Sequence, residues 1–466
     1  MRKRGQGQHR GNDRAQEEGQ AQGRAAAGTR APGRAAAARG RSRAARTGIA
    51  AVLAATALLG TAAVPATAAA AAPAPAGTER QARAWLPDPT GPYPVGTTTL
   101  RLTDAGRQDP WKPDRARELM ISLWYPTARP ATGDDRARYM DPRAADHFGS
   151  ADGAAVFNYR TEPGRTAWQQ IRTHARQDAP ALPGRGPRPV VLYSAGLGDP
   201  RTWGTGLVED LASRGYVVVT VDHTYDASEV VFPDGSRADS VLPGMAGPGL
   251  DVGALLRKVM RTRVDDTRFV LDELAALRTD GRLPAGLGAS LDLGRIGMVG
   301  HSAGGFTAVQ TMHDDPRIAA GINMDGQLHF PGPDGTGVHL GGVAEDGLDR
   351  PFLLMGTGSE DSGDYHHQPG WDALWQHSSG WKADVTLTGS RHGSYTDAQS
   401  LLPQLARQGA VSGEQLRSDV GDVRPERAVA ATRAYVASFF DRWLRGHDDH
   451  LLDGPSPRFP EMEFTR

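Results

Sequence analysis

Short runs of consecutive apolar residues mark the chain beyond about residue 96, and stretches with apolar positions every three or four residues separate them. The runs are TTTLRL (97–102), LMISLWYP (119–126), PVVLYS (189–194), YVVVTVD (216–222), RIGMVG (295–300), IAAGINMD (318–325), PFLLMG (351–356) and ADVTLT (383–388). Their length is that of strands, and most lack the polar alternation of a strand with one wet face, as expected where both faces are covered. Between them the spacing predicts helices over 203–213, 251–279, 303–313, 369–378 and 427–445. In the last of these, Val429, Tyr435, Val436, Phe439, Phe440 and Leu444 fall along one face. Strands alternating with helices predict an α/β domain with a mostly parallel central sheet and helices on both faces. Two stretches, 126–187 and 327–348, are rich in Gly, Pro and charge and show little periodicity. Insertions of that length in a compact domain are expected to form a lid, a binding rim or unstructured loops.

Charge changes the picture at the N-terminus. Residues 1–47 hold twelve of the 53 basic residues and three of the 54 acidic ones, so the net charge of -1 conceals a basic leader ahead of an acidic body. That asymmetry argues against nucleic acid as a partner of the body. The leader runs into GIAAVLAATALLG (48–60), and Ala66-Thr67-Ala68 fits a small-residue cleavage signal. The expected organisation is an export leader with a signal peptide over 1–68, an Ala/Pro-rich linker over 69–95 and one folded domain over 96–466, secreted from the cell. The alternative is an uncleaved N-terminal membrane anchor, which Pro65 and the alanine-dominated run disfavour because a span needs about 20 predominantly apolar residues. The absence of cysteine removes disulfides, thiolate metal sites and a cysteine nucleophile from consideration.

The chemistry starts at Gly300-His301-Ser302-Ala303-Gly304. A G-x-S-x-G pattern is weak in a chain with 58 glycines, but here it directly follows the strand RIGMVG and precedes the helical stretch FTAVQTMHD. That context is the tight strand-to-helix turn on which an α/β-hydrolase holds a serine nucleophile, which makes 96–466 a candidate catalytic domain of that fold. Glycines are needed at 300 and 304 because side chains there would meet the neighbouring strand and helix. A serine hydroxyl needs a base to take its proton and a carboxylate to orient the base. His392, in RHGSYTD just past the last strand, has the best setting for the base. His313, His366, His367, His447 and His450 lie on a helix, in a polar loop or beyond the final helix. Two carboxylates compete for the third role: Asp325, closing IAAGINMD, and Asp361, after PFLLMG. The residues alone leave both open. For the oxyanion hole, one donor is the Ala303 amide after the nucleophile. The second is expected in the loop Ala195-Gly196-Leu197-Gly198 after PVVLYS, with the Leu197 amide as candidate. His366 and His367 with Asp361 and Asp364 come nearest to a metal-ligand cluster without the closed spacing of one.

The ordered series LWYP (123–126), YSAGLG (193–198), VVVTVDH (217–223), DDTRFVLDEL (265–274), GHSAGG (300–305), INMDG (322–326) and RHGSYTD (391–397) resembles the plasma-type platelet-activating-factor acetylhydrolases and their bacterial relatives. It runs through about 97–445 as short blocks. The resemblance implies a serine carboxylic-ester hydrolase that works through an acyl-enzyme, without metal or cofactor. Its substrates would be short-chain acyl esters or phospholipid-type esters, with transient contact at a lipid surface. It implies Ser302 as nucleophile, Asp325 as acid, His392 as base, and the Leu197 and Ala303 amides as oxyanion donors. The family often carries histidine where this chain has Ala195, which bears on the loop's support and on substrate preference. The same triad also serves cutinase-like polyesterases and lipases. A catalytically silent hydrolase-fold binding protein is the alternative from another class, and such a scaffold would have lost a triad member.

Overall fold

The computed structural model describes residues 80–465 apart from 157, 158, 160, 185, 246–248, 334 and 360–362. The leader 1–68 and the first part of the expected linker, together with Asp361, lie outside the described residues.

The strands, in chain order, are β1 (Val95–Gln108), β2 (Ala116–Pro126), β3 (Arg136–Arg138), β4 (Arg172–Gln177), β5 (Arg188–Ser194), β6 (Val217–Asp222), β7 (Glu229–Val231), β8 (Arg237–Asp239), β9 (Leu291–His301) and β10 (Ile318–Met324). They continue with β11 (His329–Phe330), β12 (His339–Leu340), β13 (Phe352–Thr357), β14 (Lys382–Leu387) and β15 (Met462–Phe464). Eleven of them form one sheet in the order β15-β14-β13-β10-β9-β5-β6-β2-β1-β4-β3. The six strands from β14 to β6 run parallel, while β2 pairs antiparallel with β6 and with β1. Each expected strand is present, within a few residues at its ends.

Continuous apolar runs follow from cover on both faces. In β5, Val190 and Leu192 pack with the helices Val252–Leu277, Ala303–Asp314 and Pro369–His377, while Val191 and Tyr193 pack with Thr205–Ser213 and Pro425–Arg445. Alternate side chains of one strand thus feed two separate cores. Among the described residues no helix is long and apolar enough to cross a membrane.

The structure differs from expectation in two places. The linker expected over 69–95 does not extend through its described part. Ala82, Ala84 and Leu86 are buried. Ala82 exchanges backbone hydrogen bonds with the 165–167 segment, and Arg433 donates to the Asp88 carbonyl at 2.8 Å. Pro and Ala suggested a linker by composition, but here they form an extended strap whose backbone polar groups find partners on the domain. The insertion 126–187 is in large part built structure. It adds β3 and β4 to the sheet edge and a satellite core of Tyr139, Phe148, Trp168 and Trp203, with Phe148 edge-on to Trp168 at 4.9 Å. Its helix Ala151–Val156 is nonetheless a rim: the Val156 carbonyl lies beside Gly198, and Tyr159 beside Gly393. In the second insertion, the β11–β12 hairpin sets Phe330 against Phe306 at 5.2 Å, on the helix that follows Ser302.

Candidate active site

β9 ends at His301, and the chain reverses at Ser302 into the helix Ala303–Asp314. Ser302 sits at φ 57°, in the left-handed region that a side chain rarely occupies, so the turn is strained. The neighbouring glycines allow it. A Cβ on Gly300 would overlap the Gly304 carbonyl, and one on Gly304 would overlap the Ser194 carbonyl of β5. The Ser302 amide donates to the Met324 carbonyl at 2.8 Å, tying the turn to the end of β10. Asp325 follows immediately, also left-handed at φ 58°, with its own amide on the Met355 carbonyl at 2.9 Å.

The Asp325 carboxylate, almost wholly buried, accepts from His392 Nδ1 at 2.6 Å and has Thr357 Oγ1 at 3.4 Å from each of its oxygens. His392 opens a short turn held by Ser394: the Ser394 amide donates to the Arg391 carbonyl, and the Arg391 amide to Ser394 Oγ. Partial burial disfavours the imidazolium of His392, but the hydrogen bond to Asp325 and its charge outweigh this and raise the pKa above the ordinary histidine value. His301, beside the serine, is buried, and burial together with the charge of His392 pushes its pKa down to about 3. It is therefore neutral, and its Nε2–H donates to the His392 carbonyl at 2.8 Å. The residue before Ser302 thus holds the backbone of His392.

Ala303 is the first residue of the helix, so its amide belongs to the helix's unsatisfied, electropositive end. The loop carrying Leu197 is fixed from behind by Arg263, a buried residue that the sequence reading did not single out. Arg263 Nη1 donates to the Ala195 carbonyl at 2.6 Å and Nη2 to the Gly196 carbonyl at 2.9 Å. The Nε and Nη2 groups of the same guanidinium also donate to the two carboxylate oxygens of buried Asp226, which in turn accepts the Gly198 amide at 3.2 Å.

The structure therefore brings Asp325 and His392 together on the rim that carries Ser302, with Leu197 on the adjoining loop of β5. Asp361 lies outside the described residues. A second Ser-His-Asp arrangement stands below the rim. Ser194 Oγ is 3.1 Å from His223 Nε2, and His223 Nδ1 is 3.0 Å from Asp266 Oδ2. All three residues are at most 2% exposed, so no substrate reaches Ser194. Asp266 is engaged from its other side by buried Arg117, at 2.6 Å and 3.0 Å. The signal for these residues was in the sequence: Arg263 and Asp266 stand three apart on the helical stretch, on the same face as the buried Val259 and Val270.

Residues 78–233 match the family of platelet-activating factor acetylhydrolase, isoform II. A probable 1-alkyl-2-acetylglycerophosphocholine esterase of Arthroderma benhamiae is 28% identical over 397 residues, covering 81% of this chain and 93% of that one. A platelet-activating factor acetylhydrolase of Cavia porcellus is 22% identical over 390 residues, covering 79% and 83%. Among solved structures, a ferulic acid esterase from Streptomyces cinnamoneus is 36% identical with a TM-score of 0.63, covering 82% of this chain and 99% of that one. The chain therefore belongs to the platelet-activating factor acetylhydrolase family, isoform II, as a carboxylic-ester hydrolase of the α/β-hydrolase fold.

Proposed function

We propose that the chain hydrolyses its esters through a covalent acyl-enzyme on Ser302, with His392 as base and Asp325 as its orienting acid. His392 takes the hydroxyl proton as Ser302 Oγ bonds to the acyl carbon. It returns the proton to the alcohol as the ester C–O bond breaks, and then activates the water that releases the acid. Developing negative charge on the acyl oxygen is met by the amides of Leu197 and Ala303. The observation that carries this reading is the 2.6 Å Asp325–His392 hydrogen bond beside a serine in a left-handed strand-to-helix turn. That hydrogen bond fixes the imidazole with Nε2 as acceptor.

The substrate class proposed first is short-chain acyl esters, including acetyl esters on a phospholipid-type alcohol; the names of the fungal and animal relatives support it. A second reading, esters of hydroxycinnamic acids, is favoured by the 36% identity to the ferulic acid esterase. One panel tests both: a chromogenic acetate, an sn-2 acetyl ether phospholipid and a methyl ferulate, each with wild type and Ser302→Ala. Activity on the acetyl esters that disappears in Ser302→Ala is the expected result. A kcat/KM highest on the ferulate would move the substrate to the second reading, and activity persisting in Ser302→Ala would overturn the nucleophile. We also propose that the leader exports the protein. Mature protein from culture medium would then begin near Ala69, whereas full-length protein in the membrane fraction would favour the anchor.

A further inference from the structure

The loop that carries Leu197 is short, and one buried cation holds two of its carbonyls. Arg263 reaches it from the helix Val252–Leu277 and is 1% exposed. Its guanidinium spans two consecutive carbonyls, Ala195 at 2.6 Å and Gly196 at 2.9 Å. Asp226 holds the other edge of the guanidinium at 2.6 Å and 2.8 Å and takes the Gly198 amide at 3.2 Å. The Gly198 carbonyl in turn accepts from the Ser228 amide at 2.9 Å. Both ends of the loop are thereby fixed to one ion pair and its neighbours, and the half-buried Leu197 side chain packs against the apolar core.

Peptide geometry turns this bracing into a statement about chemistry. The peptide joining Gly196 to Leu197 is planar and trans, so its C=O and N–H point in opposite directions. With the Gly196 oxygen held on Arg263, the Leu197 N–H is aimed away from Arg263. A cation on the carbonyl also draws electron density through the amide, which makes the N–H of the same peptide a stronger donor. We infer that Arg263, locked by Asp226, is the positioning residue that aims and polarises the Leu197 amide toward the oxyanion of the acyl transfer.

The network behind the pair is consistent with this role. The Ser194–His223–Asp266 relay connects to the same guanidinium, with Arg263 Nη1 3.4 Å from Ser194 Oγ. Burial, together with the charge of Arg263, lowers the His223 pKa and keeps that imidazole neutral. With Nδ1–H on Asp266, Nε2 accepts from the Ser194 hydroxyl. Asp266 is compensated by Arg117, so each buried charge near the loop has an opposite partner. The loop is thus backed by a rigid, charge-balanced wall.

The inference rests on the proposed acyl-enzyme reading and is tested apart from it. Three variants serve: Arg263→Lys, which keeps the charge but cannot span two carbonyls and Asp226 together; Arg263→Gln with Asp226→Asn, which removes both charges; and Asp226→Asn alone, the mildest. Each is assayed for kcat and KM on a soluble acetyl ester and for the Ki of a trifluoromethyl ketone, whose adduct with the serine carries the oxyanion. Loosening an oxyanion donor should lower kcat/KM by about 10- to 100-fold. KM should change by less than about twofold, and the ketone Ki should rise by the same factor as kcat/KM falls. Asp226→Asn should move both in parallel by less, so it decides the matter if the others do not fold. Folded variants with kcat/KM within about twofold of wild type would overturn the inference, as would a fall in kcat with the ketone Ki unchanged. If Ser302→Ala stayed active, the underlying reading of the site would fail instead.

Discussion

At the scale of single residues, a serine accompanies a histidine–aspartate pair at two places, and burial separates them: Ser194 Oγ lies 3.1 Å from His223 Nε2 inside the core, and Ser302 stands on the rim that carries Asp325 and His392. Ser194, His223 and Asp266 are all at most 2% exposed, whereas Ser302 is partly exposed on a turn that the backbone can adopt only under strain. A serine-directed phosphonate should therefore label Ser302 and leave Ser194 unmodified, as peptide mapping would show; label on Ser194 would undo the assignment. Ser302→Ala should lower ester hydrolysis by several orders of magnitude while the protein still melts cooperatively. Asp325→Asn should cost about 10⁴ in kcat. It should also move the pH profile in a definite direction. In the proposed mechanism His392 serves as base only when neutral, so activity should fall as pH drops through its pKa. Asp325 raises that pKa, so removing its charge should shift the acidic limb to lower pH. An acidic limb that stays in place would mean that another carboxylate orients the imidazole. Asp361→Asn should cost far less. The choice between these acids was not legible from the residues, because nothing near position 325 or 361 records which loop reaches a histidine far along the chain.

At the scale of elements, the strands were legible because burial on both faces writes them as unbroken apolar runs, and the strand-to-helix turn at Ser302 was legible because its glycines have a fixed spacing. The helices Ala398–Ala406 and Gly413–Val420 were not recognised: one contains Pro403, which argues against a helix, and both are short. The insertion 126–187 was unreadable for a different reason. Its strands β3 and β4 are short, lie at the end of the sheet and have mixed polar faces, and its aromatic core forms only when Trp203 and the helix Ala398–Ala406 arrive from elsewhere in the chain. The glycines of the turn give a prediction at this scale. A Cβ at Gly304 would meet backbone, the Ser194 carbonyl, which cannot step aside as a flexible side chain could. Gly304→Ala should thus destabilise by about 3 kcal/mol or more, the upper end of overpacking costs, and lower kcat by displacing the Ala303 amide. Gly413→Ala, where the added methyl meets only an arginine tip at 3.7 Å, should stay within about 0.5 kcal/mol of wild type. Thermal unfolding of the pair in one buffer would show the contrast, and equal melting temperatures would mean that the turn is looser than the geometry implies.

At the scale of the whole molecule, the buried carboxylates set how stability depends on pH, and they divide into two groups. Asp266 is the compensated kind: burial alone would raise its pKa, but Arg117 and His223 pull it well below the usual range. Asp384 is the other kind. It is 1% exposed on β14, accepts the Tyr365 amide at 2.7 Å, and has its pKa pushed up to about 8 by burial and by the charge of Asp364. Asp397, which accepts from Tyr139 and the Gly206 amide, is pushed up to about 7, chiefly by burial. An aspartate in the unfolded chain titrates near 3.9. Below that pH both states hold the proton and Asp384 does not distinguish them. Between about pH 4 and pH 8 the unfolded chain has lost the proton while the folded chain keeps it, so each step up in pH favours unfolding. Above about pH 8 both states are ionised, and the penalty stays constant at its full size. Asp384→Asn removes the titration and leaves an oxygen to accept the Tyr365 amide. The variant should therefore melt close to wild type at pH 4, gain on it progressively up to about pH 8, and hold a constant advantage above that. Melting temperatures of the two proteins, taken at half-unit steps from pH 4 to pH 9, would trace the difference. A difference that is flat across this range, or that shrinks as pH rises, would show that Asp384 is already ionised in the folded protein at neutral pH and that its charge is met by a partner the packing around β14 does not provide.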